Sequence, residues 1–484
     1  MLFNSFQFLI FFPCVFLLYY SLPFRLRNGM LLLSSYYFYM CWKPELIVLI
    51  LFSTVVDYGC GLGISRWRKR KGLFLAISLT MNLGLLFFFK YFNFFGETLT
   101  ALCRAVSIPF SVPVLDLILP VGISFYTFQT LSYTIDIYRG KLEPERNFIT
   151  FALFVSFFPQ LVAGPIERAE SLIPQLKQEH GFSYDNAVYG LKLMAWGFFK
   201  KCVVADSLAT IVDPIYNNIS TYAGGALIAA TCAFSFQIYC DFSGYSDIAR
   251  GCARMMGVEL MVNFRHPWLS SSVSDFWRRW HISLSSWFRE YIYIPLGGNR
   301  KGMAKKLLFL MIVFLTSGLW HGAAWTFVAW GFLHGLFLSI ESLSTLWRER
   351  RTGMNGTSAV GRVVGILWTF CLTTTAWVFF RANTMGDALY AVRYVFVGLS
   401  DPVQYLKNTY STILSLTGWS GLAIAIFTIV VLLAFDIADE REDVLAAVGR
   451  WPMAVRWCVY IVFLLLLVML IPREAPAPFI YFQF

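Results

Sequence analysis

Long apolar blocks dominate this chain and decide what it can fold into. They lie near 6–22, 29–63, 73–95, 114–136, 148–165, 307–346, 362–380, 418–436 and 454–471, several long enough for two passes. A backbone in lipid must satisfy its own N–H and C=O groups, so blocks of this length fold as helices. At about 17–25 residues per pass, they predict roughly eleven spans and a few shorter re-entrant segments. Only 14% of the 484 residues are charged and 58% are hydrophobic, whereas soluble proteins carry roughly a quarter charged residues. The predicted architecture is an all-α integral membrane protein, a multi-pass helical bundle. It forms one membrane-embedded domain over 1–484, with a short outer tail at 473–484.

The net charge of +11 resembles a nucleic-acid signal, but its distribution says otherwise. Basic residues cluster in short loops at 66–71, 300–306 and 348–351, and loops enriched this way stay cytoplasmic. No nucleic-acid partner is expected; lipid is the surrounding medium. Tracing spans outward from the 300–306 loop places the last residues outside. Arg25 and Arg27, after the first apolar run, place the N-terminus outside too. That run lacks a preceding positive charge and a small-residue cleavage site, and reads as an anchor. The ten cysteines show no CxxC and suit small apolar positions better than a disulfide framework. No cluster has metal-ligand spacing, and neither a P-loop nor a G-x-S-x-G elbow is present.

His321 stands out, with about 14 apolar or small residues on either side and an ionisable group at membrane depth. Its small neighbours Gly318, Gly322, Ala323 and Ala324 admit a close helix or ligand. The competing reading is a packing histidine bonded to a carbonyl. His334 follows thirteen residues later, about 220° around one helix, so the two rings share a cavity only if the chain breaks at Gly331; it reads as structural. His180 and His266 also read as structural. Between 263 and 306 the texture changes. On one continuous helix, Asp275, Arg278, Arg279, Ser286 and Arg289 gather on one side, Trp277, Trp280, Leu284 and Phe288 on the other. His281 falls on the boundary. Such a segment suits a helix at the interface or at the mouth of a cavity.

Five blocks carry a resemblance: LPVGISFYTFQTLSYTIDIYRG (119–140), FFPQLVAGPIER (157–168), IYCDFSGYSDIARG (238–251), DFWRRWHISLSSWFREYIYIPLGGNR (275–300) and SGLWHGAAWTFVAWGFLHG (317–335). In this order they resemble the bacterial branch of the membrane-bound O-acyltransferase superfamily, which holds alginate O-acetyltransferases and teichoic acid D-alanyl transferases. The resemblance implies a ring of helices around a central tunnel in the bacterial inner membrane, with re-entrant and interfacial helices. A thioester donor, acyl-CoA or more narrowly acetyl-CoA, enters from the cytoplasm as a substrate, with no bound cofactor. The acceptor approaches from outside. His321 matches the catalytic histidine, expected as general base. His281 matches the second histidine, expected to orient or share the acceptor site. Trp320, Asp241, Tyr245, Gln160 and Arg279 are candidates for the tunnel wall or substrate contacts. For Asp241, hydrogen bonding within the bundle is an equal alternative.

The last six residues fit F-x-Y-x-x-F through Phe479, Tyr481 and Phe484. This resembles the terminal motif of small membrane proteins that accompany D-alanyl transfer, whose tyrosine is thought to carry the acyl group. Tyr481 is therefore a candidate acyl relay, with an interfacial aromatic anchor as the alternative. The leading expectation is O-acetylation of an exported polysaccharide with an extracytoplasmic SGNH-type partner. D-alanyl transfer from a carrier protein comes second. A transporter or flippase would call for broken helices in paired repeats, and no repeat is visible.

Overall fold

The computed structural model describes residues 1–162, 164–352, 358–471 and 479–480, excepting the side chains of 347–352. Among the described residues every regular element is helical and none is a strand. Among these residues eight helices are long and apolar enough to cross a membrane, fewer than the eleven expected. Gly225–Met255 adds a span outside the expected blocks, but Phe6–Ser21 and Phe24–Met40 hold only 16 and 17 residues, and two more expected spans are missing at 106–165. There 106–122 is non-helical, and the two helices that follow, Ile123–Tyr138 and Phe148–Ser156, are too short for spans and almost wholly buried. The apolarity of these two helices reflects protein packing and not lipid exposure, two environments that composition does not separate.

The chain divides into two compact units, residues 1–194 with 246–262, and 195–245 with 263–484. In the first, α1 (Ile47–Arg66), α2 (Lys71–Leu86) and α3 (Ile123–Tyr138) surround a buried polar seam. Asp57 on α1 accepts from Ser78 Oγ at 2.6 Å and from Asn82 Nδ2 at 2.9 and 3.0 Å. Ser53 Oγ closes the ring onto Asn82 Oδ1 at 2.8 Å. A carboxyl among apolar spans is tolerated only with such partners. Asp57→Ala, which leaves the Asn82 amide nitrogen with only the Ser78 carbonyl as acceptor, is expected to destabilise the protein by about 1–3 kcal/mol. Asp57→Asn, keeping an acceptor, should cost less; melting of both variants in detergent measures the difference.

In the second unit the chain passes a π turn, Phe199–Ala205, before the 31-residue helix α4 (Gly225–Met255). One extra residue in the turn lets two consecutive lysines, Lys200 and Lys201, point inward, each 4% exposed. Gly244 makes room for this. A Cβ there would lie 2.7 Å from the Gly197 carbonyl and 2.9 Å from the Lys201 nitrogen.

Two short helices follow, α5 (Val273–Arg279) and α6 (Ile282–Phe288), separated by a break at Trp280 and His281. The single helix expected across 275–289 is therefore interrupted. His281 adopts φ 43°, a left-handed conformation uncommon for a non-glycine residue. Next, α7 (Met303–His321) and α8 (Trp325–Thr352) form a hairpin. Added Cβ atoms at Gly318 and Gly331 would strike the carbonyls of Phe327 and Phe314, so the two backbones touch through glycine. The helix α9 (Ala359–Arg381) brings Trp377 and Phe380 into the core of this unit. Finally α10 (Pro402–Asp439) ends in a cluster of acids.

Candidate active site

His321 is the last residue of α7, with Gly322 extended behind it. It therefore sits at a hairpin turn and not midway along a helix. The α7 ladder ends there because the chain must reverse into α8, and Gly322 accepts the Phe327 ring where a side chain would collide. His281 arrives from another segment, as the N-terminal cap residue of α6. The two rings lie 6.3 Å apart at 63°, and both are buried, 3% and 0% exposed. Trp320 stands 5.0 Å from His321 and 6.1 Å from His281. Trp330 and Phe380 complete the enclosure of His321 at 5.0 and 5.4 Å.

Asn263 orients His281. Its Oδ1 lies 3.3 Å from His281 Nδ1 and accepts from Ser283 N and Oγ at 3.2 and 2.9 Å. Nδ1–H then donates to the amide oxygen, leaving Nε2 as the basic nitrogen of the neutral ring. Burial pulls His281 down to about 3, so this ring stays uncharged at neutral pH. Such a residue orients a substrate better than it stores a proton. His334 is drawn in from α8. It accepts from Trp277 Nε1–H at 3.2 Å, and its ring is 4.8 Å from Trp330, so Trp330 lies against both His321 and His334. The chain break that permits this is at 322–324, not at Gly331.

The other side of His281 leads to the tail. Phe242 on α4 lies 4.7 Å from His281 and 6.0 Å from Phe479. Tyr245 stands 4.9 Å from Phe479. Phe479 and Ile480 are buried, 2% and 4% exposed, and Ile480 N–H donates to Asp241 Oδ2 at 2.7 Å. Trp320, Asp241 and Tyr245 thus join one continuous cluster with the two histidines and the tail. Tyr481 and Phe484 lie outside the described residues. Gln160 belongs to the first unit, where its amide donates to the Phe154 carbonyl at 2.7 Å. Arg279 is engaged by Glu440 through two bonds of 2.9 Å and by Asp275 at 3.1 Å, and the structure does not bring it to the histidines.

His180 Nε2 bonds the Gln175 carbonyl at 2.9 Å, as a structural histidine would. His266 sits between Asp436 and Asp439, 3.1 Å from each. Burial pulls it down, but these carboxylates outweigh that and raise it to about 9. A pKa raised on folding stabilises fully below the unfolded value, about 6.5, and the benefit fades as pH climbs through 9. The melting temperature of His266→Gln should therefore lie furthest below wild type at pH 6 and approach it by pH 9.5.

Among the described residues no group of three or more His, Cys, Asp or Glu could hold a metal ion. Asn263, Phe242, Lys201 and Trp330 escaped the reading of the sequence. Lys200 and Lys201 beside Asp206 were the available signal, since adjacent lysines in an apolar run call for buried counter-charges.

The family model described as MBOAT, membrane-bound O-acyltransferase family, matches residues 144–380. A probable alginate O-acetylase of Azotobacter vinelandii is 40% identical over 82% of this chain and 78% of its own length. A peptidoglycan O-acetyltransferase of Helicobacter pylori is 36% identical over 80% of this chain and 78% of its own. A teichoic acid D-alanyltransferase of Bacillus subtilis is more distant, 26% identical over 49% of this chain and 62% of its own.

Proposed function

The chain belongs to the membrane-bound O-acyltransferase family and is an acyltransferase, and from that premise we propose that it moves acetyl groups from a cytoplasmic thioester to an exported polysaccharide. The observation that carries this reading is the pairing of His281 and His321, buried 6.3 Å apart at the α7–α8 turn. His321 takes the proton of an attacking hydroxyl as its oxygen bonds to the thioester carbonyl carbon. The carbon–sulfur bond then breaks and the departing thiolate recovers a proton, giving ester and free thiol. Neutral His281, held by Asn263, orients the acceptor. Tyr481, one residue beyond the docked Ile480, is the first acceptor. It then presents its acetyl ester to an extracytoplasmic SGNH-type transferase that acts on the polymer. The protein sits in the bacterial inner membrane, with both termini on the outer side.

Acetyl transfer is preferred over D-alanyl transfer because the O-acetylating relatives share 36–40% identity over most of the chain, against 26–28% over half for the D-alanyl ones. Supplying the purified protein with acetyl-CoA, or with a D-alanyl thioester on a carrier protein, and measuring thiol release tests the donor. Release from acetyl-CoA is expected. Release from the D-alanyl carrier alone would overturn the acetyl reading.

A further inference from the structure

Lys201 lies at the centre of a buried arrangement that the transfer chemistry does not use. Its Nζ is 2.9 Å from Asp206 Oδ1 and 2.7 Å from Asp241 Oδ1. Two carboxylates flank this one ammonium. The second has a separate task, because its other oxygen accepts the Ile480 N–H at 2.7 Å. We infer that Asp241 and Lys201 form a positioning pair that clasps the chain's own C-terminal segment at Phe479 and Ile480.

Three features support the assignment. A carboxylate accepting a backbone N–H makes a charge-assisted bond, stronger than a neutral one. Lys201, with its Nζ within 2.9 Å of both carboxylates, supplies the counter-charge that a buried Asp241 needs. A backbone N–H is common to every residue but proline, so this bond reads the path of the peptide and not the side chain at 480. Selectivity lies one residue earlier, where Phe479 packs on Tyr245 and Phe242. Together the clasp and the aromatic seat fix the register of the tail at Phe479 and Ile480. The inference rests on the proposed acyl transfer only for its consequence; docking of the tail stands or falls separately.

Hydrogen exchange of the full chain in lipid nanodiscs tests the clasp at the Ile480 amide. Wild type should protect this amide, and Asp241→Ala should speed its exchange about 10–100-fold. Asp241→Asn, which retains one acceptor oxygen, should fall between. Ile480→Pro removes the donor without touching the buried ion cluster, so it remains informative if Asp241→Ala folds poorly. Both variants should lower kcat by similar factors and leave the acetyl-CoA KM unchanged. The double variant should be no worse than either single one, as for two halves of one contact. Equal exchange in wild type and Asp241→Ala, or losses that multiply in the double variant, would overturn the clasp. A protected amide beside normal transfer in Ile480→Pro would instead remove the tail from the reaction. His321→Ala should leave protection at Ile480 as in wild type.

Discussion

His321→Ala is expected to lower acetyl transfer by about 10³-fold, the usual scale for loss of a positioned general base. The ring lies among Trp320, Trp330 and Phe380, an environment that excludes water from replacing it efficiently. Because the imidazole acts only as the new bond forms, the acetyl-CoA KM should change by no more than about threefold. Thermal stability should fall modestly, since a small apolar side chain replaces a ring at a hairpin end. A steady-state assay of thiol release, run beside a melting curve, measures both. Loss of activity accompanied by collapse of the fold would make the residue a packing histidine, the alternative that its apolar setting leaves open.

Tyr481→Phe is expected to abolish polymer acetylation in cells, to below about 1% of wild type, because the substitution removes the only nucleophile of that side chain. A phenol ionises near pH 10, so at neutral pH it attacks only with a base beside it. In the proposed scheme His321 is that base. Phenylalanine keeps the ring and its apolar area, so docking through Phe479 and Ile480 should survive. The two variants then differ in a measurable way. His321→Ala blocks entry of acetyl onto the protein, and Tyr481→Phe removes the place where it rests. Polymer acetylation at the wild-type level in Tyr481→Phe would leave the tail as an interfacial anchor and place the acceptor elsewhere.

Much of this protein is legible from residue order. Apolar blocks give the helical membrane architecture and the apolar context of His321 singles it out, whereas His281 stands out only through the resemblance of its motif. Where the reading failed, local periodicity was projected through a break in the helix. His334 was assigned to the far side of a continuous helix from His321, yet the chain reverses at 322–324 and both rings reach Trp330. Likewise His281 fell on the boundary of an amphipathic wheel because no helix continues through it; its left-handed backbone separates α5 from α6. Neither break contains proline, the residue that most plainly announces one. The helices at Ile123–Tyr138 and Phe148–Ser156 misled for another reason, since a helix buried in protein is as apolar as one facing lipid. The clasp at Asp241 joins residues 239 positions apart, and no local pattern announces such a pairing.

The account turns on His321 driving acetyl from a thioester onto the C-terminal tail. Purified wild type and His321→Ala, each mixed with isotopically labelled acetyl-CoA for a single turnover and digested, test this by mass spectrometry of the C-terminal peptide. Wild type should carry labelled acetyl on Tyr481, and His321→Ala none above background. Equal labelling of that peptide in both proteins would contradict it.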